Sequence, residues 1–96
     1  MAINTVMVIG AGQMGGGIAQ VFASIGKKTY LNDIKQEFID GGIAKITKNL
    51  DRSVSKGKIT EEQKNETLKN IIPALDIDQV AGECDVIVEA AIENME

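Results

Sequence analysis

Residues 5–33 read TVMVIGAGQMGGGIAQVFASIGKKTYLND. The run from Thr5 to Ile9 is apolar and rich in β-branched side chains, the composition of a strand buried on both faces. Gly10 breaks it. After GAGQMGGG, the residues Ile18, Val21, Phe22 and Ile25 recur at i, i+3, i+4 and i+7. That spacing predicts a helix with those four on its buried side, and Gly26 stands where a left-handed cap would end it. Lys28 to Asn32 (KTYLN) has the pattern of a second strand, and Asp33 follows it directly.

Gly10, Gly12 and Gly15 form G-x-G-x-x-G, a spacing too common in glycine-rich sequence to mean much by itself. Its setting makes it specific. The glycines leave a predicted strand and open a predicted helix, and Asp33 lies 18 residues past Gly15 at the end of the next strand. Together these make the dinucleotide-binding fingerprint of a Rossmann-type α/β sheet. Each residue has a physical role. Gly10 permits the tight turn, Gly12 lets the backbone approach a pyrophosphate, and Gly15 lets the helix pack close to the strand. The free N–H groups of Gln13 and Met14 then face the pyrophosphate at the positive end of the helix dipole. A carboxylate at Asp33 accepts hydrogen bonds from the ribose hydroxyls and repels a 2′-phosphate, which favours NAD over NADP. Lys35, two residues on, softens that repulsion.

Working outward, Ile39, Ile43, Ile46, Leu50 and Val54 are spaced 4, 3, 4 and 4 and predict one long amphipathic helix that Gly57 closes. Thr60 and Gln63 form a capping box for another helix, anchored by Leu68. Ile71 to Ile77 reads as a weak strand, which Pro73 confines to a sheet edge or a short piece. Asp85 to Ala91 (DVIVEAA) is again of the buried-strand type. Alternating strands and helices imply parallel strands joined by right-handed crossovers, with strand order 3-2-1-4 in the common doubly wound arrangement.

Composition sets limits. With 96 residues the chain is at most one small domain, burying only about 60–65% of the surface its unfolded form exposes. A net charge of −4 gives no footprint for nucleic acid. The opening MAINTVMVIGAG has neither a basic leader nor a membrane-length apolar run. The single cysteine, Cys84, cannot make an internal disulfide and reads as a packed thiol, so a cytoplasmic protein is the default expectation. Tyr30 has no lysine four residues on. There is no histidine, so these residues cannot supply an imidazole general base, and no metal site is expected. Lys45, Lys48, Arg52, Lys56 and Lys58 crowd five of ten basic residues into one stretch, with only Asp51 opposing them. They form either a site for a phosphate-bearing substrate or a solvated helix face.

The stretches VIGAGQMGGGIAQVFA, NDIKQEF, NLDRSVSKGKI and CDVIVEAAIEN resemble, in order and spacing, the beginning of the 3-hydroxyacyl-CoA dehydrogenases, including the 3-hydroxybutyryl-CoA enzymes. The resemblance implies hydride transfer between NAD and the 3-hydroxyl of an acyl-CoA. It implies that Ala90 and Glu93 join the glycine loop and Asp33 in touching NAD. It also implies that the two central helices form a hairpin inserted in the domain, with Asn49 and Lys56 at coenzyme A contact positions. Gly16 departs from the family, which usually has Ser or Ala there. The family's catalytic Ser, His, Glu and Asn and its helical dimerisation domain match nothing in residues 1–96. The expectation is therefore the amino-terminal portion of an NAD-binding domain, catalytically inactive by itself. The competing expectation from another class is a stand-alone dinucleotide-binding or regulatory module. Val86, Ile87 and Val88 call for cover on both faces, so self-association through that strand, a homo-oligomer, is also expected.

Overall fold

The computed structural model describes residues 4–90. Four parallel strands, β1 (Thr5–Ile9), β2 (Lys28–Asn32), β3 (Ile71–Pro73) and β4 (Val86–Glu89), form one sheet in the order β3-β2-β1-β4. The helices are α1 (Gln13–Ser24), α2 (Gln36–Ser55), α3 (Glu61–Asn70) and the short α4 (Ile77–Val80), followed by a 3₁₀ turn at Ala81–Glu83. The expected strand order and incomplete α/β architecture are both found.

The register places the functional end of the sheet. Ile9 pairs with Asn32 on one side and with Glu89 on the other. Gly10, Asp33 and Ala90 are each the next residue along, so they leave the sheet at one level. The ladder continues through the Gly10 N–H to Asn32 O and the Ala90 N–H to Ile9 O, both at 2.8 Å. β2 and β3 lie on one side of β1 and β4 on the other, the reversal of strand order at which doubly wound sheets open a crevice.

Local signals set the helix ends. At the end of α1 the Gly26 N–H bonds Ala23 O and the Lys27 N–H bonds Phe22 O. At the end of α2 Gly57 and Lys58 repeat the arrangement on Val54 O and Ser53 O. The Thr60–Gln63 capping box starts α3 with both of its hydrogen bonds formed. Asp51 on α2 pairs with Lys64 on α3 and ties the hairpin.

The core between the sheet and α1–α3 is built from Val6, Val8, Ala19, Ala23, Leu31, Ile46 and Leu50, with Leu68 packed at its margin. On α2, Ile39, Ile46 and Leu50 are buried as expected, but Ile43 and Val54 are only half-buried and Gly42 joins the buried face. On α1 the predicted face needs correction. Val21 and Ile25 are exposed, Ile18 and Phe22 are half-buried, and the buried residues of the helix are Gly15, Gly16, Ala19 and Ala23. Gly15 lies against the Gly10 carbonyl with no room for a side chain, Gly16 is turned toward Ile46 and Gly42 of α2, and Ala19 and Ala23 pack in the core with Val6 and Val8.

The weak strand after α3 is shorter than its sequence pattern. It ends at Pro73, at the sheet edge, and Ile77 opens α4 instead of closing a strand. The Asn32 side-chain amide donates to the carbonyls of Ala74 (2.7 Å) and Leu75 (3.2 Å), and the Asp76 side chain caps α4 through the Asp78 N–H. Both interactions turn the chain away from the sheet. β4 is the opposite edge. Val86 and Val88 are half-buried on the helix side, while Ile87, beside Met7 on the other face, is 48% exposed. Among the described residues, β4 pairs only with β1.

Candidate functional site

Gly10 leaves β1 at φ +104°, a left-handed conformation that glycine adopts without steric cost. The turn sends the chain straight into α1, with Gly12 at its N-cap. A side-chain cap is impossible at glycine, and the first turn carries no acid, so among the described residues no side chain caps the free N–H groups of that turn. The first bond of the helix, Gly16 N–H to Gly12 O, is already made at 2.8 Å. A Cβ on Gly12 would meet nothing within 4 Å, which leaves the approach to those donors open. A Cβ on Gly15 would lie 1.6 Å from Gly10 O, so the close packing expected of that glycine is present.

Asp33 faces the same space. One carboxylate oxygen accepts the Ala11 N–H at 2.8 Å and the other accepts the Ile34 N–H at 2.6 Å. The first bond spans from the end of β2 to the glycine loop and fixes the carboxylate against it. Both oxygens keep lone pairs for further donors. The open cleft, about 730 Å³, is lined by Gly10, Gly12, Met14, Asp33 and Ala90, and by Ile34, Phe38 and Gly41. Thus Gly10, Gly12, Met14, Asp33 and Ala90 meet in one place, with the backbone of Gln13 in the helix start beside them. Glu93 lies outside the described residues.

Three features of the cleft are not apparent from the motif. The Ala11 N–H holds Asp33. Ile34 (82% exposed) and Phe38 (44%) form an apolar wall at the start of α2. Lys35 lies over the Phe38 ring, 5.8 Å from its centre. The signal was a pair of apolar residues four apart, directly after Asp33 and off the isoleucine stripe.

The cations of α2 form a separate feature. Lys45, Lys48, Arg52 and Lys56 are exposed, as is Asn49, and at helical spacing these five share one side of α2, away from the core. Lys45 and Asn49 also border a small hollow of about 60 Å³ against Gly12, Gly16 and Gly17, so the basic side starts next to the glycine loop. Asp51, the one acid in the stretch, is taken by Lys64. A further hollow of about 500 Å³ lies between α1, α2 and α3 near Ser24, Ser53 and Glu62. It contains no cation and sits at the far end of α1 from the loop.

Residues 5–96 match the family described as 3-hydroxyacyl-CoA dehydrogenase, NAD binding domain. The chain belongs to that family. Its cofactor is NAD. Among curated relatives, the 3-hydroxybutyryl-CoA dehydrogenase of Bradyrhizobium diazoefficiens is 46% identical over 94 residues, covering 98% of this chain and 32% of that protein. The 3-hydroxyadipyl-CoA dehydrogenase of Escherichia coli is 44% identical over 94 residues, covering 98% of this chain and 20% of that protein. The solved (S)-3-hydroxybutyryl-CoA dehydrogenase of Ralstonia eutropha superposes with a TM-score of 0.91 at 37% identity, over 98% of this chain and 33% of that one. This member of the NAD-binding-domain family therefore spans about a third or less of the length of these relatives. The cleft fits the cofactor: helix-start donors without a cap suit a pyrophosphate, and a positioned carboxylate suits a ribose diol.

Proposed function

We propose that the chain is the cofactor-holding part of an enzyme that interconverts 3-hydroxyacyl-CoA and 3-ketoacyl-CoA. The observation that carries this reading is the uncapped start of α1 and the anchored Asp33 carboxylate facing one cleft. When bound, NAD supplies the hydride acceptor. The N–H groups of Gln13, Met14 and Gly15 hold its pyrophosphate, and Asp33 accepts from its adenosine ribose. Ile34 and Phe38 give the adenine an apolar side, Ala90 borders the path toward the nicotinamide, and Glu93, outside the described residues, is a further NAD contact by resemblance to the family. The basic side of α2 takes the phosphates of coenzyme A, with Asn49 and Lys56 as its contacts and 3-hydroxybutyryl-CoA as the leading substrate.

Proton transfer comes from groups outside these 96 residues, which contain no histidine. The single free cysteine is in keeping with a cytoplasmic setting. We further propose that the chain self-associates through the edge of β4 that has no partner strand among the described residues.

The test is a titration with NADH and NADPH, followed by the cofactor's own fluorescence, in the parent chain and in Asp33→Ala. The parent should prefer NADH. Asp33→Ala should weaken NADH binding by about 1.5–3 kcal/mol, the range for hydrogen bonds to a charged group, and narrow the preference. Equal affinity of parent and variant for both cofactors would remove Asp33 from the ribose. A parallel titration with coenzyme A should lose affinity on Lys56→Glu. If it does not, the basic side of α2 is a solvated face.

A further inference from the structure

The bond between Ala11 and Asp33 has a second support that no fingerprint position supplies. α2 crosses the outer side of the glycine loop at Gly42, which is buried. A Cβ built there would stand 2.7 Å from the Ala11 carbonyl oxygen, 3.0 Å from the Ala11 Cβ and 3.4 Å from Leu31 Cδ2. The first of these distances is shorter than real contacts allow, and it is to backbone, which cannot swing aside. The neighbouring Gly41 would meet nothing within 4 Å. Glycine is a poor helix former, so its place at 42 in the middle of a long helix needs a cause, and contact with Ala11 supplies one.

Ala11 is held from two directions. Its N–H is given to Asp33 at 2.8 Å, and its carbonyl and methyl rest against the bare backbone of Gly42. α2 cannot easily retreat, because Ile39 and Ile46 on either side of Gly42 are fully buried. A methyl group at 42 would therefore displace Ala11, and with it the N–H that orients the Asp33 carboxylate. We infer that Gly42 is a positioning residue for cofactor recognition: by lacking a side chain it seats the glycine loop so that Ala11 can aim Asp33 at the ribose. This rests on the role proposed above for Asp33.

The experiment is a double-mutant cycle in the 96-residue chain, read by NADH and NADPH titration and checked for folding by circular dichroism. Gly42→Ala should lower NADH affinity by about ten-fold and reduce the preference for NADH over NADPH. In an Asp33→Ala background the same change should alter affinity less than about two-fold, because the group it acts through is gone. If Asp33→Ala weakens NADH binding but Gly42→Ala leaves it within two-fold of the parent, the positioning role is overturned while the Asp33 reading stands. Losses that simply multiply in the double variant also overturn it, since they would mean a general loosening. If Asp33→Ala itself has no effect, both readings fall.

Should Gly42→Ala not fold, Ala11→Gly loosens the same contact from the other side without a clash. It should lower NADH affinity by about three-fold or more and narrow the preference. An unchanged affinity and preference in that variant overturns the inference.

Discussion

Gly15 and Gly16 are consecutive in the first turns of α1, and a methyl group should act oppositely at the two. At Gly16 an added Cβ would lie 3.9 Å from Ile46 Cγ1 and 4.0 Å from both Ala11 O and Gly42 O, all ordinary contacts. The Gly16 N–H to Gly12 O bond needs only the backbone and is kept. Alanine in place of glycine gains about 0.5–1 kcal/mol in a helix, and burying one methyl adds up to about 0.8 kcal/mol. Position 16 is near the helix start, where propensity counts for less, so about 1 kcal/mol is expected. For a domain of this size that raises Tm by about 4–8 °C. At Gly15 the same methyl would sit 1.6 Å from the Gly10 carbonyl oxygen and 2.8 Å from its carbon. Either α1 must lift from β1 or the Gly10 turn must open, and overpacking of this kind costs about 1–3 kcal/mol or more. Thermal and urea melts of Gly16→Ala and Gly15→Ala, followed by circular dichroism, measure both effects. A lower Tm for Gly16→Ala, or an unchanged Tm for Gly15→Ala, would refute the packing of α1 described above. The first result would also mean that the family's Ser or Ala at this position serves something other than the helix.

Three other outcomes are expected. The Asp85 carboxylate accepts the N–H groups of Asn4 and Thr5 at 2.8 and 3.0 Å, and these donors hold it below the usual carboxylate range. Because the folded value is depressed, the stabilisation is complete above the unfolded value of about 3.9 and fades as pH falls through the folded one. Asp85→Asn should therefore be less stable than the parent near neutrality and approach it in acid; a pH-independent gap in urea melts would count against the clamp. The 96-residue chain, given 3-hydroxybutyryl-CoA and NAD, should show no turnover above background, and any activity of a pure, sequence-verified sample would contradict the need for an outside base. Sedimentation at tens of micromolar should find an oligomer. A folded monomer with fast amide exchange along β4 would exclude pairing through that edge.

Much of this protein is legible in local sequence because the decisive forces act over a few residues. Gly10 and Gly26 stand where the backbone turns to positive φ, and Thr60 and Gln63 satisfy each other's backbone groups across one turn. The alternation of β-branched runs with helical spacing was enough to give the order β3-β2-β1-β4, since crossover handedness leaves few other arrangements. The tertiary structure decided what depends on how closely elements approach. Hydrophobic spacing put Val21 and Ile25 beneath α1, but the buried positions are taken by Gly15, pressed against the Gly10 carbonyl, and by Gly16, Ala19 and Ala23, while Val21 and Ile25 are exposed. Pro73 marked an edge, yet the amide of Asn32, far away in sequence, is what draws the chain off the sheet at Ala74. The fingerprint singled out Asp33, by its place after β2, as the carboxylate proposed for the ribose. That its carboxylate accepts the Ala11 N–H, and that α2 meets Ala11 at Gly42, follows from three segments converging in space, and no periodicity along the chain records such a meeting.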